Sequence, residues 1–230
     1  MLMRHPLTLL TKEVPALDLT LSNVCLLLQD LHAPFTDPEE GWLADRASKK
    51  VLSREFDEYF DTLNLVAPNI TKLINTAREL GLPVVYSCLG YRSPDAPSAF
   101  QTATGWLWNL DGSHGRFGAD WQPRQDEIVF AKPGWGALAN VECEHFLRHG
   151  GIRYVIMAGV PFDFGIRQTC LELADRGFGS LVISDAVASI THMGQGYTSG
   201  NIAHGLTKLR TTGEMLDLLS LLQTQGSVSV

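Results

Sequence analysis

Charge is scarce in this chain. Asp, Glu, Lys and Arg make up only 19% of its 230 residues while 45% are hydrophobic, so the chain has the apolar material to fold and extended disorder is excluded. Positive charge is scarcer still. The 18 basic residues face 25 acidic ones, and the resulting net charge of −7 repels phosphate backbones and anionic lipid, which argues against nucleic acid as a partner. Cysteine is sparse as well: Cys25, Cys88, Cys143 and Cys170 lie far apart without paired metal-ligand spacing, and all four are read as reduced. His32, His114 and His192 are scattered and suggest no metal site. Long apolar runs are missing, since Asp, Lys or Arg interrupts every stretch before the roughly 18 residues that suggest a membrane span. The one N-terminal run, residues 7–10, is cut off by Lys12, so no secretory leader is visible and a cytoplasmic protein is expected. Repeats and low-complexity tracts are also lacking. Residues 1–230 therefore read as one domain.

What is present alternates between strand and helix patterns. Residues 23–29 (NVCLLLQ) form a near-continuous apolar run ending at Asp30, the pattern of a strand buried on both faces of a parallel sheet. Val66, Ile70, Leu73, Ile74, Ala77 and Leu80 then recur at helical spacing, with Pro68 expected in the first turn and Gly81 as the stop. Further strands are expected at 83–87, 127–131, 154–158 and 181–184, with helices near 139–149 and 164–176. A last helix starts near Thr211, where Glu214 completes a capping box. This alternation predicts an α/β fold with a central parallel sheet. Residues 90–125, rich in Gly, Pro, Ser and aromatics, read as a long loop that covers a site or binds a partner.

Open parallel sheets bind ligands outside the carboxyl ends of their strands. The residues found there are Asp30, Cys88 with Leu89, Lys132, the 159–165 loop and Asp185. A carboxylate and an ammonium thus converge on one edge, either for chemistry or as a helix cap and a lysine reaching to solvent.

Three segments carry a resemblance: LLLQDLHAPFTDP around Asp30, FAKPGWGAL around Lys132, and MAGVPFDFGIRQTCLELADRGFGSLVISDAVAS over 157–189. In order and spacing they resemble the signature blocks of the isochorismatase-like hydrolases of the cysteine hydrolase superfamily. The resemblance implies a Rossmann-like three-layer α/β/α sandwich, a homo-oligomer, and an Asp, Lys, Cys constellation that hydrolyses small amides, ureas or related bonds. Asp30 and Lys132 match the first two members. Gly165 stands where the cysteine nucleophile is expected. The resemblance also implies a cis peptide before that position, here Val160-Pro161, where proline lowers the cost of the cis form. Cys170, five residues on, shares a helical stripe with Ile166 and Leu173 and is expected in the core.

A glycine at this position is shared with the isochorismate-cleaving members, whose chemistry needs no covalent intermediate. Asp30 would then be the general acid or base, Lys132 would hold a substrate carboxylate or developing charge, and no cofactor is implied. Those members carry Tyr and His in the loop that here reads Pro161-Phe162-Asp163, so isochorismate itself is not implied. Candidate substrate contacts are Phe35, Leu89, Trp135, Pro161, Phe162 and Phe164, with Trp106 and Trp108 as further aromatics for a small-molecule pocket or for the core. Asp163 orients water or caps a helix, Asp185 reads as a cap, and Arg92, Arg116 and Arg167 are carboxylate partners or solvated. Two alternatives stay open. One is an inactive member that binds a metabolite or protein partner; the other is an amidohydrolase using Cys88 or activated water.

Overall fold

The computed structural model describes residues 16–41, 44, 54–190 and 207–230. The expectations for residues 7–12 and for His192 lie outside them. In chain order the elements are β1 (Asp18–Leu19), β2 (Val24–Gln29), a one-turn helix α1 (Ala33–Thr36), α2 (Arg54–Glu79), β3 (Val84–Leu89), α3 (Ala99–Thr104), β4 (Ile128–Lys132), α4 (Val141–His149), β5 (Tyr154–Gly159), α5 (Arg167–Asp175), β6 (Gly179–Val187), β7 (Thr207–Arg210), α6 (Thr212–Gln225) and β8 (Val228–Ser229).

Six strands form one parallel sheet in the order β4-β3-β2-β5-β6-β7. Every residue of β2, β3 and β5 is buried, which explains their unbroken apolar runs: each strand is covered on both faces. Alternate residues supply the two layers. Leu26, Leu28, Tyr86 and Ile156 pack with Tyr59, Leu63, Ile70, Leu73 and Ile74 of α2 and Met215 and Leu219 of α6. Leu27, Val85, Phe130, Val155 and Met157 pack with Cys143 and Leu147 of α4 and Cys170 and Leu173 of α5. The expected sandwich of helices around a parallel sheet is therefore observed, and Cys170 lies in its second layer.

Several boundaries differ from the sequence reading. Helix α2 begins at Arg54, twelve residues before the first periodic position, so Pro68 sits inside the helix and not in its first turn. Strand β4 extends to Lys132 and β3 to Leu89, so Cys88 is inside a strand, its thiol in the first core layer. The helix expected from 164 divides into a π-helical turn, Phe162–Ile166, and α5. Residues 90–125 are not featureless: α3 has a complete capping box between Ser98 and Gln101, and 3₁₀ turns occupy Ser113–Gly115 and Ala119–Trp121. The Thr211 and Glu214 capping box opens α6 as expected. Strand β7 and the two-stranded β1-β8 sheet were not anticipated. Among the described residues no helix is long and apolar enough to cross a membrane.

The chain leaves β2 for β3 and β4 on one side, then returns to β5, β6 and β7 on the other. The order thus reverses between β2 and β5. The carboxyl ends of β2 and β5 are therefore the switch point of the sheet, the topological position where open α/β sheets bind ligands.

Candidate active site

Asp30 is the first residue beyond β2, at this switch point. Its φ of +52° is the sole positive value outside glycine among the described residues. An L-residue adopts that conformation at a cost of about 1 kcal/mol, which marks a backbone bent for a purpose. The bend is held by Asp30 N donating to Ser87 O and by Val160 N donating to Gln29 O, both at 2.9 Å. Close approach of β5 at this point requires Gly159: at its φ of +115° a Cβ would fall on the backbone of Gln29.

The Asp30 carboxylate is fully buried and accepts from three donors. Leu89 N reaches Oδ1 at 2.7 Å, while Lys132 Nζ at 2.8 Å and Gln29 Nε2 at 3.2 Å both reach Oδ2. Three of the four lone-pair positions are therefore used, and the one left is on Oδ1. Lys132 ends β4 and is equally buried. Its ammonium also donates to Trp135 O at 2.9 Å and to Gly134 O at 3.3 Å, so all three of its protons have acceptors. The expected grip of Lys132 on a substrate carboxylate is thus not open in this arrangement. Its charge instead compensates Asp30.

Gly165 closes the other side of the pair. A Cβ built there would stand 2.7 Å from Gln29 Nε2 and 3.0 Å from Asp30 Oδ2. Position 165 therefore faces Asp30, but a side-chain amide fills the space. Gln29 was overlooked in the sequence, where the one signal was a polar residue closing an otherwise apolar strand. Thr169 was overlooked too. Its hydroxyl donates to Gly165 O at 2.8 Å, lies 3.2 Å from Gln29 Oε1 and accepts from Ala137 N at 2.9 Å, tying α5 to the loop after Lys132.

The aromatic candidates separate into two groups. Trp135 and Phe164 stack at 4.8 Å, and Trp135 meets Trp106 and Phe100 edge-on at 5.3 and 5.7 Å, forming a wall above the pair in which Phe164 is 41% exposed. Phe35 and Phe162, by contrast, are fully buried members of the two core layers, because their strands and helices close over them. Leu89 takes part through its backbone N–H, and Pro161, joined to Val160 by a cis peptide as expected, is buried at the head of the π-helical turn.

Other expectations resolve differently. Asp163 caps no helix; its Oδ2 accepts from Ile190 N at 2.9 Å and joins the turn after β5 to the segment after β6. Asp185 does cap, but at a distance, accepting from Thr212 N and Oγ1 at the start of α6. Arg92 pairs with Asp111 and Arg116 with Glu40, each at 3.0 Å, while Arg167 is exposed. His32 is buried beside the site with Nε2 3.0 Å from Leu89 O, and burial above all pushes it down to about 4, so it is neutral. All four cysteines are free and buried. Burial pushes the Cys88 thiol well up and the Cys170 thiol up to about 11, which keeps both protonated. No group of three or more His, Cys, Asp or Glu side chains among the described residues could hold a metal ion.

The family model described as the isochorismatase domain matches residues 27–214. An uncharacterized isochorismatase family protein, YwoC of Bacillus subtilis, is 25% identical over 164 residues, covering 68% of this chain and 85% of that protein. An isochorismatase of the same organism is 23% identical over 176 residues, 71% of this chain and 56% of the relative. A cysteine hydrolase structure from Pseudomonas syringae pv. phaseolicola superposes with a TM-score of 0.75 at 15% identity, over 92% of this chain and 99% of that one. With the Asp30 and Lys132 pair at the switch point of this sheet and the family model spanning most of its length, the chain belongs to the isochorismatase family.

Proposed function

We propose that the protein hydrolyses a small organic molecule without a cysteine nucleophile, with Asp30 as acid and base and Lys132 as its electrostatic partner. The observation that carries this reading is the fully buried Asp30 and Lys132 pair facing a glycine where the family's thiol would stand. Burying an ion pair is costly, and keeping one at a ligand-binding edge fits use better than structure. The open lone pair on Asp30 Oδ1 takes a proton from an attacking water as the new C–O bond forms. The carboxylic acid so produced returns the proton to the leaving heteroatom as the scissile bond breaks. Gly165 belongs to the site as the position that keeps a side chain away from Asp30. Trp135 and Phe164 offer a flat apolar surface for the substrate, with Leu89 and Pro161 at the margins and Phe35 and Phe162 behind. A thiol route through Cys88 has little support, because that sulfur is buried in the core and held protonated.

The test is substrate depletion followed by mass spectrometry, with wild type and Asp30→Asn compared on vinyl ethers, ureas and small aromatic amides. Depletion by the wild type alone is expected. Equal rates in the two proteins would remove Asp30 from the chemistry, and retention of a compound without turnover by either would favour a binding protein.

A further inference from the structure

We propose that Gln29 is a positioning residue for Asp30 and forms a mutually exclusive pair with Gly165: the amide occupies the space a side chain at 165 would need, and in doing so decides which carboxylate oxygen is open. The inference rests on the hydrolase reading for its meaning and on geometry for its content. Gln29 Nε2 has two protons and two acceptors, Asp30 Oδ2 at 3.2 Å and Trp135 O at 3.0 Å. Its Oε1 faces Thr169 Oγ1 at 3.2 Å. The side chain is fully buried and its amide group is held on two acceptors, so it cannot swing aside cheaply to admit another group.

A Cβ at 165 would approach Nε2 to 2.7 Å and Cγ to 3.2 Å. Room exists for the amide or for a side chain at 165, not for both. The functional consequence follows from acceptor counting. With Lys132 and Gln29 both on Oδ2, that oxygen has no lone pair left, and the side of Asp30 facing Gly165 is closed. Proton exchange is thereby confined to Oδ1, beside Leu89 N–H. Gln29 thus makes the glycine a designed part of this site and not merely a missing thiol.

The experiment has two arms, neither of which uses turnover, so it separates failure of this inference from failure of the hydrolase reading. In the first, melting temperatures are measured for wild type, Gly165→Ala, Gln29→Ala and the double variant. Gly165→Ala is expected to lower Tm by about 5 °C when Gln29 is present and by much less when Gln29→Ala has cleared the space. Additive shifts would overturn the proposal. In the second arm, the Gln29 side-chain amide protons are observed by NMR, assigned by their loss in Gln29→Met. Bonded to a carboxylate and a carbonyl, they are expected downfield and protected from exchange, and Asp30→Asn is expected to move the proton facing Oδ2 upfield. Ordinary shifts that ignore Asp30→Asn would show a space-filling residue and overturn the positioning role. If Gly165→Ala fails to fold alone but folds with Gln29→Ala, exclusion is supported; if neither folds, the NMR arm decides.

Discussion

Lys132 Nζ stands 2.8 Å from Asp30 Oδ2 across 102 residues of sequence, and neither side chain is exposed to solvent. Each charge is tolerable in the interior only because of the other. Lys132→Met leaves an uncompensated carboxylate in the core and is expected to cost about 3–5 kcal/mol, measured by urea denaturation. Adding Asp30→Asn to that variant should recover a large part of the loss. A double variant as unstable as the sum of the singles would show that the two charges do not depend on each other.

His32 makes stability depend on pH. Its ring titrates near 4 in the folded protein because burial disfavours the charged form, against an ordinary 6.5. Between those values an unfolded chain binds a proton that the folded chain refuses, so stability falls as pH drops from 6.5 to 4. The full effect is up to about 3 kcal/mol. Denaturation curves at pH 7 and pH 5 should show it, and the slope should flatten in His32→Phe.

Gly159→Ala tests the backbone bend. A methyl group there meets the Gln29 backbone at a φ that alanine avoids, and a loss of about 3 kcal/mol is expected. Because the displaced segment carries Asp30, any turnover should fall with stability. A variant with wild-type Tm would mean that β2 and β5 can separate freely.

Arg78 and Glu127 fix β4 from below. The guanidinium forks onto the carboxylate with two contacts of 2.8 Å, both side chains being nearly buried. Burial pushes Glu127 up, but hydrogen bonds and charge from Arg78 and Arg124 outweigh it and hold the carboxyl below its ordinary range. Arg78→Lys keeps the charge and loses the fork. A cost of about 1–2 kcal/mol in chemical denaturation is expected, and an unchanged midpoint would show that geometry at this pair is unimportant.

How much of this was legible in the sequence follows from the range of each interaction. Strands β2 and β5 were readable because burial on both faces leaves an unbroken apolar run, and α6 because Thr211 and Glu214 cap it within one turn. Asp30 and Lys132 were readable as residues at strand ends. The start of α2 was available but not read: Tyr59 and Leu63 carry the stripe of Val66 and Ile70 back toward Arg54, among acidic neighbours that mask it. Strands β1 and β8 are two residues each and pair across the whole chain, so no local pattern marks them. Gln29 escaped for the same reason. Its partners Trp135 and Thr169 lie 106 and 140 residues away, and nothing near it in sequence signals either.

The carbonyl of Trp135 is gripped by two hands of the site, Lys132 Nζ at 2.9 Å and Gln29 Nε2 at 3.0 Å, while its indole lies flat against Phe164. Any change in the clasp around Asp30 therefore pulls on the stem of a fluorophore whose ring rests on the wall. Emission from Trp135, isolated by difference against Trp135→Phe from that of the other four tryptophans, is therefore expected to report on the charge pair without label or substrate.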